Sequence, residues 1–271
     1  MTRTFTVTVA PNGARRSKAD HPALPATSAE IAETAAACFA AGAGTIHLHV
    51  RDQEGRHSLD AGRYRDAIAA VLEVVPQMAV QVTTEAAGLY QVAEQYTCLQ
   101  QVQPKAASVS VREMARDVPI AKRLYAFASE TGVEVQHILY NAQDVALLRS
   151  WLDQGIIAPH LRSAIFVLGQ YSPPVLARPG DLSVFLNATA GMDLDWSLCA
   201  FGQQELACAR AALLAGGNVR IGFENNIQRP DGALLRENTE SVALIVKEGL
   251  SQGLTPAPQL SLSSSISQKV S

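Results

Sequence analysis

Short β-rich runs alternate with Ala-rich helical stretches along almost the whole chain, and this alternation constrains the fold more than any other feature of the sequence. Strands are expected at Phe5–Ala10, Thr45–Val50, Ala79–Thr83, Ala107–Val111, Val133–Tyr140, Ser163–Leu168, more weakly at Trp196–Ala200, and at Val219–Glu224. Helical patterns fall between and after them at Ser28–Ala41, Asp60–Val74, Tyr90–Gln101, Pro119–Thr131, Ala142–Gln154, Asp181–Thr189, Glu205–Leu214 and Thr239–Gly253. Parallel strands need a crossover, usually a helix, to reach their neighbours. Eight such cycles within 271 residues predict an α/β fold of the (β/α)8 TIM-barrel type. An open doubly wound sheet is the competing architecture, but it would show fewer cycles and often a GxGxxG fingerprint after its first strand, which this chain lacks.

Helix punctuation agrees with this division. Ser28 stands at an N-cap position, and Gly42, Gly132, Gly155 and Gly216-Gly217 follow helical runs as C-caps. No linker or internal repeat interrupts the pattern, so residues 1–260 are expected to form one barrel domain and the Ser-rich stretch 261–271 a flexible tail. A composition of 48% apolar and 17% charged residues suits a buried core. A net charge of -3 without a long basic run points away from nucleic acid and anionic membranes as partners. No apolar run approaches the roughly 18 residues of a membrane span, and the N-terminus lacks a signal-peptide pattern, so a soluble cytoplasmic protein is expected. Cys38, Cys98, Cys199 and Cys208 are scattered without metal-site spacing and read as buried small hydrophobes.

The chemistry concentrates at predicted strand ends. In Thr45-Ile46-His47-Leu48-His49-Val50, period-2 alternation sends the aliphatic residues to one face and both histidines to the other. In a barrel the aliphatic face meets helices, so His47 and His49 point inward, and an i, i+2 pair of imidazoles can chelate one metal. On strand 8, Arg220, Gly222 and Glu224 share the inward face, with Gly222 leaving room for a ligand. Glu224 supplies a third ligand, and Arg220 can hold a carboxylate or orient a catalytic group. The alternative for Glu224 is a structural ion pair with Arg220. Two histidines and a carboxylate leave an open position, as catalytic zinc sites do, and the same set suits Fe(II) or Mn(II).

By the same parity Thr83 and Glu85 end strand 3, and Ser108 and Ser110 face inward on strand 4, as substrate contacts or as core hydroxyls bonded to backbone. Arg112 and Glu113 lie just beyond strand 4, either as a solvated pair or as part of the site. Between Asn12 and Lys18 the loop after strand 1 carries Arg15, Arg16 and Lys18, which read as an anion clamp over the mouth or as a solvated basic loop.

Four segments then make a specific pattern: Ala19 to Pro25 (Ala-Asp-His-Pro-Ala-Leu-Pro), Ile46 to Asp52 (IHLHVRD), Phe166 to Gly169 (FVLG) and Gly216 to Asn226 (GGNVRIGFENN). Together they resemble the β-keto acid cleavage enzymes, in matching order over nearly the whole chain. The resemblance implies a zinc-dependent TIM barrel, commonly a homotetramer, that converts a β-keto acid and acetyl-CoA into acetoacetate and a new acyl-CoA. It further implies that His47, His49 and Glu224 bind the metal, that Arg220 belongs to a catalytic pair, and that Thr83 and Ser108 or Ser110 contact substrate. Three positions depart from the family pattern: Asn225 where an Asp usually follows the ligand Glu, Ile138 where the fifth strand often carries a Glu, and Arg15 where a Glu faces a substrate ammonium.

Asn225 cannot accept a proton as a carboxylate does, so Glu85 is the expected general base. Arg15 in place of an acidic residue favours a substrate with an anionic or polar distal group. Two other readings compete. A metal-dependent hydrolase of the HxH-barrel type would draw further ligands from His137 or His160, and a catalytically altered zinc-binding barrel would explain Asn225 and Ile138.

Overall fold

Each β-rich run becomes a strand that turns its aliphatic residues towards a helix and the residues between them towards a common axis. The computed structural model describes residues 3–171 and 173–257. Its barrel strands are β1 (Val7–Val9), β2 (Thr45–Leu48), β3 (Ala79–Thr83), β4 (Ala106–Ser110), β5 (Glu134–Leu139), β6 (Ser163–Leu168), β7 (Asp195–Ala200) and β8 (Asn218–Ile221). Consecutive strands pair in parallel, and β8 returns to β1 through Val219↔Val7 and Ile221↔Val9, closing the barrel. The helices that follow them are α1 (Ser28–Ala40), α2 (Ala61–Val74), α3 (Val92–Val102), α4 (Val118–Thr131), α5 (Ala142–Asp153), α6 (Leu182–Ala188), α7 (Glu205–Leu214) and α8 (Asn238–Ser251). The architecture is the TIM barrel that the cycle count predicts.

The main apolar cluster lies between strands and helices, where Ile46 and Leu48 of β2 join Ile31 and Ala35 of α1 and Tyr64 of α2. Inside the barrel the lining is divided. His47, Gln81, Thr83, Ser108, Ser110 and Arg220 make the β8 and β2–β4 side polar and buried. Ile138, Ile165, Val167 and Cys199 form a separate apolar cluster on the β5–β7 side. This division places polar chemistry on one half of the lumen and a hydrocarbon wall on the other.

Local chemistry explains where the helices start. Asp60, Asp117 and Asn141 cap α2, α4 and α5 through side-chain oxygens. For α1 the cap is Thr27, one residue before the expected Ser28: its hydroxyl accepts from the Glu30 amide while the Glu30 carboxylate accepts from the Thr27 amide. This is a capping box, and the Thr-x-x-Glu spacing encodes it. Gly132 caps α4 with φ 74°, in the left-handed region open to glycine.

Strand ends differ from expectation where the site is built. The run expected at Thr45–Val50 is divided: β2 ends at Leu48, and Val50–Arg51 pairs antiparallel with His57–Ser58. Val111 leaves β4 and begins a short helix, Val111–Met114. β8 ends at Ile221 because Gly222 turns the chain at φ 130°. A Cβ on Gly222 would lie 2.6 Å from the Ala10 carbonyl oxygen and 2.9 Å from Asn238 Oδ1. The space that Gly222 leaves is therefore filled by backbone and Asn238, not by a ligand. Thr4–Phe5 pairs with Thr255–Pro256 outside the barrel. The tail expected at 261–271 lies outside the described residues. All four cysteines are buried and free, and among the described residues no helix is long and apolar enough to cross a membrane.

Thr27→Ala removes one arm of the capping box and is expected to lower stability by about 1 kcal/mol, measured as a lower denaturant midpoint at unchanged m-value. An unchanged midpoint would show that Glu30 and packing alone hold the start of α1.

Candidate metal centre and active-site cavity

β2 delivers His47 to the lumen, and the residue after the next, His49, follows it from just beyond the strand end. Both are buried, with Nε2 atoms 3.2 Å apart. Glu224 completes the group from the turn after β8, its Oε2 standing 3.7 Å from His47 Nε2 and 3.5 Å from His49 Nε2. Donors about 2.0–2.1 Å from a tetrahedral ion lie roughly 3.3 Å from one another, so these three spacings suit a single ion. Two further features support the fit. Glu224 Oε2 is buried without a hydrogen-bond partner among the described residues. His47 Nδ1 faces Gln81 Oε1 at 2.8 Å, an acceptor that fixes the proton on Nδ1 and leaves the Nε2 lone pair facing the other two ligands.

The charge states agree with ligation. Burial, then the Arg220 guanidinium, holds His47 well below the usual histidine range. Burial pushes the Glu224 carboxyl up, but Arg220, His49 and His47 together outweigh it and hold the group well below the usual carboxylate range. A neutral imidazole and an ionised carboxylate are the forms that bind a metal. Glu224 also accepts from Arg220 Nη2 through Oε1 at 3.2 Å. The ion pair with Arg220 and the ligand role thus use different oxygens of one carboxylate.

A cavity of about 260 Å³ opens above this centre. His47, Thr83, Glu85, Ser110, Arg220 and Glu224 contribute to its lining. Arg15 and Arg112 line it nearer the mouth, and Ile138 with Val167 lines the apolar side.

The profile of the beta-keto acid cleavage enzymes matches residues 5–259. The chain belongs to that family. A 3-keto-5-aminohexanoate cleavage enzyme from Fusobacterium nucleatum is 28% identical over 255 residues, covering 89% of each chain. A 3-oxoadipate:acetyl-CoA acetyltransferase from Cupriavidus necator is 26% identical, covering 90% of this chain and 88% of its own. Among solved structures, the binary complex of ObcA with oxaloacetate superposes with a TM-score of 0.66 at 16% identity, over 88% of this chain and 66% of that one, which shows a shared fold. As a family member the chain is an enzyme of the acyltransferase type that these relatives' names describe.

Several expected residues take places that the strand pattern alone does not settle. Ser110 Oγ reaches the cavity without a hydrogen-bond partner among the described residues, whereas Ser108 lies beneath, its hydroxyl 3.5 Å from Thr83 Oγ1. Asn225 is fully buried beside Glu224, outside the cavity lining, and both polar atoms of its side chain lack partners among the described residues. Arg112 and Glu113 are not paired with each other. Arg112 makes a forked pair with Asp144 at 2.6–3.1 Å and stacks on Tyr140, while Glu113 accepts from the Ala86 amide and Gln95. The basic loop is also divided. Lys18 pairs with Glu30 at 2.6 Å, and Arg16 donates to the Phe223 carbonyl and stacks on Tyr171, which leaves exposed Arg15 as the basic residue of the loop without such a partner among the described residues. His137 turns Nε2 to the Leu161 carbonyl, and His160 is exposed in the loop before β6, so neither joins the metal group and the hydrolase reading is not favoured.

Three contributors escape a sequence reading. Gln81 is signalled only by lying two residues before Thr83 on the inward face of β3. Arg51 donates to the carbonyls of Asn12, Gly13, Ala14 and Arg16, tying down the loop that carries Arg15. His57 donates from Nε2 to the Glu85 carbonyl at 2.9 Å, and burial with the neighbouring His49 holds its pKa down to about 3. No local pattern marks the hairpin that brings His57 there.

Gln81→Leu is expected to weaken zinc binding by about 10- to 100-fold while the fold survives, read by competition with a chromophoric chelator. Wild-type affinity in that variant would remove Gln81 from the support of His47.

Proposed function

We propose that this chain is a divalent-metal-dependent β-keto acid cleavage enzyme, with zinc as its ion, that takes acetyl-CoA and a β-keto acid bearing an anionic or polar distal group and releases acetoacetate and a new acyl-CoA. The observation that carries this reading is the joining of His47, Arg220, Glu224 and Glu85 in the wall of one cavity, with Arg15 at its mouth. His47, His49 and Glu224 would hold the ion, which as a Lewis acid supplies polarisation of the substrate's keto oxygen.

Glu85 acts as the base. Its amide is held by Thr83 Oγ1 at 3.0 Å and its carbonyl by His57, so its backbone is fixed on both sides of the side chain. Its carboxylate takes the C2 proton, and C2 then attacks the thioester carbonyl of acetyl-CoA with departure of the CoA thiolate. That thiolate attacks the 3-keto carbon of the same molecule, the C2–C3 bond breaks to give the new acyl-CoA and the enolate of acetoacetate, and protonated Glu85 returns its proton to C2 to give acetoacetate. Arg220 Nε and Nη1 are buried without partners among the described residues, beside the cavity, and these N–H donors suit a substrate oxygen that gains negative charge. Thr83 and Ser110 offer hydroxyls on the same polar half of the lumen. Asn225 lies beside Glu224 without reaching the cavity, which supports Glu85 in place of a base at position 225.

The test is mass spectrometry of acyl-CoA products from zinc-loaded protein given acetyl-CoA and cationic, neutral and anionic β-keto acids, with a chelated control. A new acyl-CoA from an anionic member, lost on chelation, is the expected result. Absence of product from every member would favour a catalytically altered barrel. In the active protein Glu85→Gln should lower kcat by about 10²- to 10⁴-fold with zinc retained, and full turnover would remove Glu85 from the base role. Arg15→Glu should lower kcat/KM for the anionic substrate by about tenfold, modest because the side chain is solvated, and an unchanged value would refute the anion preference.

A further inference from the structure

Among the described residues three carboxylates are buried: Asp144, Glu205 and Glu224. Asp144 pairs with Arg112 and Glu224 with Arg220, but no arginine, lysine or histidine among the described residues forms an ion pair with Glu205. Burial without an ion pair is costly, and it outweighs the hydrogen bonds from Gly222 and Asn226 and the charge of Arg16 to push the Glu205 carboxyl up to about 8. The chemistry derived above makes no use of this group, so its contacts must account for it.

Those contacts converge on one turn. Glu205 opens α7 and accepts from the Gly222 amide through Oε1 at 3.1 Å, while its Oε2 lies 3.5 Å from Asn226 Nδ2. Gly222 and Asn226 are the two ends of the turn whose middle residue is Glu224. Between them, the Phe223 amide goes to Asn238 Oδ1, the Glu224 amide to the Ala10 carbonyl, and Tyr171 Oη donates to the Glu224 and Asn225 carbonyls. Gly222 is held at φ 130° against the Ala10 carbonyl, a placement in which its amide points away from any strand partner. Asn226 is locked in turn by its own bonds to Gln228.

We propose that Glu205 is a positioning residue for Glu224: by holding both ends of the 222–226 turn it sets where the Glu224 carboxylate stands between Arg220 and the His47–His49 pair. This inference rests on the metal-centre reading above. The bond to the Gly222 amide does most of the work, because it is the shorter one and satisfies a buried backbone donor that β8 no longer pairs.

The experiment measures binding of zinc alone, by chelator competition, and the visible absorption of the cobalt-substituted protein, in wild type, Glu205→Leu and Glu205→Gln. Glu205→Leu removes the acceptor and should weaken zinc binding by about 10- to 100-fold and alter the cobalt band. Glu205→Gln keeps an acceptor for the Gly222 amide and should stay within about threefold of wild type. Thermal unfolding of the metal-free proteins accompanies each measurement. If Glu205→Leu does not fold, Glu205→Asp replaces it, since it retracts the acceptor by about one carbon–carbon bond, roughly 1.5 Å, and should show the same loss. Wild-type zinc affinity and an unchanged cobalt band in the Leu or Asp variant overturn the proposal, as does a Gln variant no better than Leu. A wild-type protein that binds neither ion overturns the metal-centre reading itself and this inference with it.

Discussion

One carboxylate, Glu224, connects the two halves of this site. Through Oε1 it meets Arg220, and through Oε2 it faces the paired histidines, all in a setting less than a tenth exposed. In so dry a place a lone carboxylate or a lone guanidinium would each be strongly destabilising, and removing one partner of a buried pair typically costs about 3–5 kcal/mol. Arg220 therefore does more than neutralise Glu224. It helps keep the carboxylate ionised, and after burial itself its charge is the next cause that holds His47 well below the usual histidine range.

The scaffold around Glu224 follows from that demand. A charged group at a strand end cannot be placed by the parallel ladder, which stops at Ile221, so side chains from distant elements hold the turn that carries it. Asn238 of α8, Tyr171 beyond β6, Arg16 beyond β1 and Glu205 of α7 each bond a backbone group or side chain between Gly222 and Asn226. Gly13 presses on Glu224 from the other side, where a Cβ would lie 2.6 Å from Glu224 Cγ. The β1 loop is fixed in turn by Arg51, two residues after His49. The loops after β1, β2 and β8 therefore behave as one linked unit over the polar half of the barrel.

The opposite half of the lumen contributes by contrast. Ile138 and Val167 are nearly fully buried and line the cavity, offering contact without hydrogen bonds. A hydrocarbon wall on that side favours uncharged atoms, while charged Arg15 and Arg112 stand nearer the mouth. Polar chemistry is thereby confined to the side where His47, Arg220 and Glu224 stand.

The order and type of the eight strands and helices were legible in the sequence, because period-2 and helical patterns are local and repeat often enough to be counted. The inward faces of β2 and β3 were legible for the same reason: once Ile46 and Leu48 face helices, His47 must face the axis. The cap of α1 is encoded by the Thr27-x-x-Glu30 spacing, one residue before the Ser28 that composition alone suggests. What the sequence could not disclose were the places where the chain leaves its strand. The turn at Gly222, the hairpin that brings His57 to Glu85, the diversion of Lys18 to Glu30 and the burial of Asn225 outside the cavity all depend on contacts between residues far apart in the chain. Local periodicity decides which way a side chain points along a regular strand, and only closure of the barrel decides which side chains from different strand ends meet.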